Sequence, residues 1–228
     1  MLRIGVVIAA GGEGKRLGGR IPKQFLQLKG VPILERSVSL FESLRAVDEI
    51  VVVSARDHVV RTERLIRRMG CRKIVSIISG GKERQDSVWN GMHAFISKPD
   101  IILVHDAARP LISRIVVEAV IAAAIRHRAA VVGVRVNDTI KLEGKKGFYR
   151  RTLDRSKLWA VQTPQGFRFD LLMRAHQAAR RARYLGTDES SLVERLAIPV
   201  RIVEGDHINI KITTRQDLRL AEMWLDRG

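Results

Sequence analysis

A lone cysteine, Cys71, is all the thiol chemistry available to this 228-residue chain. One thiol excludes an internal disulfide framework, and its position just before an apolar run suits a small, half-buried filler; the shortage fits a reducing compartment such as the cytoplasm. Long apolar runs are missing as well: nothing approaches the roughly 18 residues of a membrane span, and no signal sequence is expected ahead of the first strand. Acidic residues are scarce, 24 against 41 Lys and Arg, which leaves a net charge of +17. That excess is spread in short pairs such as Arg67-Arg68, Lys145-Lys146 and Arg180-Arg181. There is no basic strand interleaved with aromatics, no zinc-finger spacing and no basic tail, so nucleic acid is not expected as a partner. The charge is better suited to solvation and to steering anionic phosphates. Also absent is any Ser-His-Asp or Cys-His arrangement for covalent catalysis.

What is present begins at residues 3–9, a strand that runs into Ala10-Gly11-Gly12-Glu13-Gly14-Lys15-Arg16-Leu17, with Pro22-Lys23 soon after. Glycines at a strand end let the backbone close round an anion and present N–H groups that no side chain obstructs. Arg16 and Lys23 add two positive charges. Together they predict a cradle for a polyphosphate, foremost a nucleoside triphosphate. Two familiar loops do not fit. A Walker A loop would need glycine where Ala9 stands and a hydroxyl where Arg16 stands. A dinucleotide fingerprint would need a third glycine at Leu17 and an acidic residue about 20 positions on.

Short β-branched runs at 50–53, 74–78, 101–104 and 131–136 read as buried parallel strands. Helical patterns lie between them at 32–44, 59–69 (stopped by Gly70), 87–96 and 115–126. Trp89, Met92 and Phe95 fall at helical spacing and are expected in the core. Such alternation implies a three-layer α/β sandwich with a Rossmann-like, mostly parallel sheet. The pattern breaks at 137–153, where 139–142 and 148–153 flank a two-glycine turn, a hairpin signal. A protruding two-stranded arm is marginal alone in water, which favours a homodimer contact. Afterwards a helix is expected at 169–182, another near Thr187-Asp188, strands at 200–203 and 208–212, and a final helix opened by the Thr214-x-x-Asp217 capping box. No linker divides the chain, so one domain with an arm at about 137–155 is expected.

Five polar clusters fall at strand ends or in loops, where open α/β sheets hold ligands. These are the first loop, 80–87, 105–110, 153–165, and 187–189 with 209–211. The strings AAGGEGKRLG with IPKQF, GGKERQDSV, VHDAARP, DTIKL, LDRSKLW with QTPQGF, TDESSLVE and NIKITT occur in order. This ordered set resembles the 2-C-methyl-D-erythritol 4-phosphate cytidylyltransferases over nearly the whole chain. Relatives that activate ribitol 5-phosphate or other alditol phosphates share many of the motifs. The first loop departs from the AAGxGxRM form by one extra residue and by Leu17 in place of Met.

The resemblance implies a nucleotidyltransferase reaction of CTP with 2-C-methyl-D-erythritol 4-phosphate, with Mg2+ or another divalent cation. It implies that Arg16 and Lys23 hold the triphosphate, that Lys211 lies beside the α-phosphate, and that Ala10, Gly11 and Gly14 form the backbone cradle. Gly81, Arg84 and Ser87 correspond to the segment that reads cytosine, and Asp106 to the acidic residue near the ribose or the metal. Arg109, Thr139, Arg155, Thr163 and Thr187 correspond to binders of the acceptor. Thr139 and Arg155 lie on or next to the arm, which in the family interlocks two subunits. A phosphate monoester, with a second pKa of about 6, is already dianionic at neutral pH and needs no general base. His105 is therefore expected to serve packing or hydrogen bonding, and Asp138 and Asp188 loops or caps.

Overall fold

In the computed structural model, which describes residues 2–12 and 21–226, apolar runs become strands and amphipathic stretches the helices that cover them. The first strand is β1 (Ile4–Ala10). A small ladder, β2 (Gln27–Leu28) with β3 (Val31–Pro32), leads into helix α1 (Ile33–Ser43). Alternation then continues through β4 (Glu49–Ser54), α2 (Val59–Met69), β5 (Ile74–Ser79), α3 (Arg84–Met92), β6 (Ile101–Asp106), α4 (Arg114–His127) and β7 (Ala129–Arg135). After a hairpin, β8 (Lys141–Glu143) with β9 (Tyr149–Thr152), come β10 (Trp159–Arg168), α5 (Phe169–Arg181), α6 (Glu189–Glu194), β11 (Arg201–Glu204) and α7 (Arg215–Leu225).

The main sheet has the order β11-β7-β10-β6-β1-β4-β5. Every pairing in it is parallel except those of β10, which runs antiparallel to both β6 and β7. Successive residues of a strand face opposite sides. Val6 and Ile8 accordingly join one core cluster with Leu34, Val38 and Phe41 of α1, Leu65 of α2 and Val117 of α4. Val7 joins the other, with Val88 of α3, Leu171 and Leu172 of α5, and Val193 of α6. Strands buried on both faces explain why these runs are continuously β-branched rather than alternating. Phe41 and Phe167, fully buried on opposite sides, each stabilise the sandwich by about 1.5–3 kcal/mol in removal from water. Met92 is buried and Phe95 packs against the same cluster as Val88, but Trp89 is only half-buried, and α3 ends at Met92, so Phe95 reaches the core from beyond the helix. Cys71 is half-buried and packs against the α1 side.

Local signals account for the helix ends. Gly70 closes α2 at φ +65°, a left-handed position that glycine takes without the clash a Cβ would bring. Thr214 caps α7, accepting from Asp217 N–H at 3.1 Å, while the Asp217 carboxylate accepts from Thr214 N–H at 2.8 Å. Helix α3 starts three residues earlier than the periodicity suggests. The Asp86 carboxylate accepts from Glu83 N–H at 3.3 Å, so Arg84 and Ser87 both sit in the first turn.

Two further expectations fail. The 153–165 cluster is not only loop: its second half is β10, in the interior of the sheet. Pro164 and its polar neighbours disguise the strand, and the ladder to β7 shifts register between Val161 and Gln165, the kind of irregularity at which a sheet tolerates proline. Residues 208–212 are not a strand despite the alternating isoleucines. The Asp206 carboxylate accepts from Ile208 N–H at 2.9 Å and the Asp206 carbonyl from Asn209 N–H at 3.1 Å, folding a turn. Ile212 then hooks onto the Ala108 carbonyl at 2.8 Å. The expected hairpin does form, pairing Lys141 with Thr152 and Leu142 with Arg151, and all residues of both its strands are exposed.

Candidate active site

From β1 the chain proceeds to β4 and β5 on one side of the sheet and then crosses to β6 on the other. A crevice opens beyond the carboxyl ends of strands where connections diverge in this way. A cavity lies there, lined by residues 9–12 at the end of β1, residues 81–84 and Ser87 at the start of α3, residues 106–108 at the end of β6, and Lys23, Gln24 and Lys211. Three glycines and four alanines make up much of this wall, so few side chains there screen the backbone. A Cβ on Gly12 would stand 2.9 Å from Lys23 Cε, so the lysine lies directly against the glycine turn. A Cβ on Gly81 would run into Asp86 Cβ. The Ser87 hydroxyl accepts from Gly81 N–H at 3.1 Å and donates to the Glu83 carbonyl at 3.0 Å, which fixes the shape of that turn.

A second cavity adjoins the first and shares Arg84, Asp106 and Lys211 with it. Its other residues are Arg109, four residues of β10 from Val161 to Gln165, and Thr187 and Asp188. The shared residues form a charged wall. The Asp106 carboxylate accepts from Arg84 Nε at 3.0 Å and pairs with Lys211 Nζ at 2.6 Å. Behind it, Glu189 accepts two hydrogen bonds from Arg84 Nη1 at 2.8 and 2.7 Å. Burial opposes the charge on Asp106, but Arg84 first and Lys211 second hold its pKa well below the usual carboxylate range. Burial likewise works against Arg84, yet Glu189 and Asp106 raise its pKa further, and the guanidinium stays charged. Burial raises the Glu189 carboxyl, with Arg84 pulling the other way.

His105 is fully buried against the Phe41 ring. The Arg109 carbonyl can only accept, so His105 Nε2 donates to it at 3.2 Å. Burial lowers the imidazole pKa to about 4, so the ring is neutral and Nδ1 accepts from the Thr163 hydroxyl at 3.2 Å. The same hydroxyl accepts from Asp106 N–H at 3.0 Å. Thr163 thus faces the second cavity with its proton already committed. Arg109 is steadied by donating from Nη1 to the Asn209 carbonyl at 2.8 Å. Asn209 Nδ2 donates to Gln162 Oε1 and to the Thr163 carbonyl.

Most expected site residues therefore converge. Ala10, Gly11, Lys23, Gly81, Arg84, Ser87, Asp106 and Lys211 line the first cavity; Arg109, Thr163 and Thr187 line the second. Thr139 and Arg155 line neither: Arg155 is exposed beside the hairpin and donates to the Asn137 carbonyl at 2.6 Å. Gly14 and Arg16 lie outside the described residues. Asp188 is indeed a cap, accepting from Ser191 N–H at 2.9 Å at the start of α6. Sequence reasoning missed Gly12, Glu189 and the structural role of Asn209; glycine beside Gly11 was a usable signal for the first, and none existed for a carboxylate 105 positions from its arginine. Among the described residues no group of three or more His, Cys, Asp or Glu could hold a metal ion. A divalent cation fits here only if a polyphosphate supplies most of its oxygens, with Asp106 as the nearby carboxylate. No helix among the described residues is long and apolar enough to cross a membrane.

A model of the 2-C-methyl-D-erythritol 4-phosphate cytidylyltransferase family matches residues 4–227. The enzyme so named from Symbiobacterium thermophilum is 49% identical, over 98% of this chain and 93% of its own length. Its counterpart from Pelotomaculum thermopropionicum is 45% identical, over 97% and 94%. Among solved structures, the cytidylyltransferase of Thermus thermophilus is 35% identical with a TM-score of 0.79, covering 100% of both chains. The 4-diphosphocytidyl-2C-methyl-D-erythritol synthase of Anaerococcus prevotii reaches a TM-score of 0.88 at 25% identity, over 99% and 97%.

Proposed function

The chain belongs to the 2-C-methyl-D-erythritol 4-phosphate cytidylyltransferase family, and on that premise we propose that it transfers the cytidylyl group of CTP to 2-C-methyl-D-erythritol 4-phosphate. The products are 4-diphosphocytidyl-2-C-methyl-D-erythritol and pyrophosphate, a step of isoprenoid precursor biosynthesis. A phosphate oxygen of the acceptor forms a bond to the α-phosphorus of CTP as the bond from that phosphorus to the bridging oxygen breaks. The observation that carries the reading is the meeting of two cavities at one charged wall, Arg84–Asp106–Lys211.

CTP occupies the first cavity, its triphosphate along the glycine turn with Lys23 and its base toward Gly81 and Ser87. The acceptor phosphate occupies the second, toward Arg109 and Thr187. The attacked phosphorus then falls beside Lys211. With the nucleophile already dianionic, the chain must hold two anions together and stabilise the developing charge; it need not remove a proton. The neutral, fully engaged His105 is consistent with that. Thr163 contributes by holding Asp106 and can give the acceptor only a lone pair. Magnesium or another divalent cation, held by the CTP phosphates near Asp106, would neutralise part of the triphosphate charge.

Thr139 and Arg155 lie off both cavities, and Phe148 and Tyr149 of the hairpin are 74% and 65% exposed. A homodimer through this arm accounts for both: it covers the apolar residues and brings Thr139 and Arg155 to the acceptor cavity of the neighbouring chain. A cytoplasmic location fits the lone thiol. The function is tested by pyrophosphate release from purified protein with magnesium, CTP and 2-C-methyl-D-erythritol 4-phosphate, beside ribitol 5-phosphate. Release with the first acceptor is expected; release with ribitol 5-phosphate alone would assign another pathway.

A further inference from the structure

Glu189 lines neither cavity and is 1% exposed, yet its carboxylate is aimed at the wall between them. It is the first residue of α6, directly after Thr187 and Asp188, which line the acceptor cavity. The start of that helix is clamped to β10. Gln165 Nε2 donates to the Asp188 carboxylate at 2.7 Å, and Gln165 Oε1 accepts from Ser190 N–H at 3.1 Å. From this fixed point Glu189 takes both bonds from Arg84 Nη1, leaving Arg84 Nε to meet Asp106. Arg84 comes from the other side of the crevice, on the first turn of α3, and lines both cavities.

We propose that Glu189 is a positioning residue for cytidylyl transfer: from the acceptor side it fixes the guanidinium of Arg84 in the wall where CTP and acceptor meet. The inference rests on the assignment of the two cavities made above. A buried carboxylate is costly unless paired, and replacing a buried ion pair with apolar residues is often neutral for stability. A role in folding alone therefore gives little reason for a charge here, whereas a planar guanidinium needs two anchored directions to be held in one orientation. The wall also balances: Glu189 and Asp106 oppose Arg84 and Lys211. Removing the charge of Glu189 leaves Arg84 at most one neutral acceptor on that side beside its Nε bond, freer to turn toward the cavity and to compete with Lys211 for Asp106.

The test is a double-mutant cycle on CTP binding, titrating magnesium and CTP calorimetrically into wild type, E189Q, R84Q and the double variant, with thermal unfolding recorded for each. In E189Q the amide oxygen can keep one bond from Arg84 Nη1 while the NH2 meets the guanidinium donor to donor, and CTP affinity is expected to fall about tenfold, as for loss of a charge-assisted contact. In the R84Q background the same change should alter affinity less than about twofold, because Glu189 acts through Arg84. Should E189Q fail to fold, E189D keeps the charge with a shorter reach and is expected to give a smaller loss, again suppressed by R84Q. Equal losses in both backgrounds, or a lowered Tm with unchanged CTP affinity, would overturn the proposal. Absence of CTP binding in wild type would instead remove the functional reading itself.

Discussion

The two cavities share Arg84, Asp106 and Lys211 but are built from different materials. The cavity proposed for the nucleotide is lined largely by turns at element ends: residues 9–12 at the end of β1, residues 81–83 before α3, and Asp106–Ala108 at the end of β6. Such turns bring N–H groups close to an anion and depend on the sheet for their position. The cavity proposed for the acceptor is lined by Arg109, by Val161, Gln162, Thr163 and Gln165 of β10, and by Thr187 and the α6 cap Asp188, with several of these held by a further side chain or carbonyl: Thr163 by His105, Arg109 by Asn209, Asp188 by Gln165. Two of its expected binders, Thr139 and Arg155, are elsewhere in the same chain. On the proposed reading, only the acceptor side draws residues from a second copy. The difference teaches that the first cavity takes its shape from turns set by the sheet, whereas the second depends on side chains that substitution can change.

The comparison breaks most visibly at the shared wall. Lys211→Ala should lower turnover at least ~100-fold, the effect of removing one electrostatic contact to developing charge, while pyrophosphate release still responds to both substrates. Near-normal turnover would mean that the cavities do not meet at the reacting phosphorus. Arg155→Ala should act on one side only. Its KM for the acceptor should rise about 10-fold or more, with CTP affinity unchanged, since a charge-assisted phosphate contact is removed; an equal rise in the KM for CTP would erase the distinction between the sides.

The smallest effect lies away from both cavities. His176 of α5 is fully buried near Trp89, and neither ring nitrogen has a hydrogen-bond partner among the described residues. Burial lowers its pKa to about 4 from 6.5, so between those values the unfolded chain holds a proton that the folded chain does not. Its contribution to stability is intact above pH 6.5 and is lost as pH falls toward 4. His176→Leu should therefore gain about 2 kcal/mol at pH 5 relative to pH 8, read as a Tm difference, with turnover at neutral pH unaltered. A pH-independent Tm difference would contradict the assignment of a neutral buried imidazole.

How legible each region was follows from the physics that builds it. The central parallel strands of the sandwich announce themselves because burial on both faces demands unbroken apolar runs such as residues 50–53 and 101–104. The nucleotide cavity was nearly as plain, since close backbone approach demands glycine and a phosphate demands cations. The acceptor side was harder. Strand β10 hides behind Gln162, Thr163, Pro164 and Gln165, polar residues that a core strand would not carry unless they served a site. The isoleucines at 208, 210 and 212 mimic strand alternation, but Ile208 is 37% exposed and only Ile212 is fully buried. Long-range pairs such as Arg84 with Glu189 leave no local periodicity at all.

The most direct test of the central contrast is activity after mixing two defective proteins. Arg155→Ala and Lys211→Ala subunits, each a poor catalyst at acceptor concentrations below KM, would be exchanged under conditions that permit dimers to re-form, and pyrophosphate release measured. If the arm completes the neighbour's acceptor cavity, each mixed dimer regains one intact site, and random exchange between identical two-fold partners should restore about a quarter of wild-type activity. If activity stays at the level of the two parents, Arg155 serves its own chain or none, and the acceptor side is as self-contained as the nucleotide side.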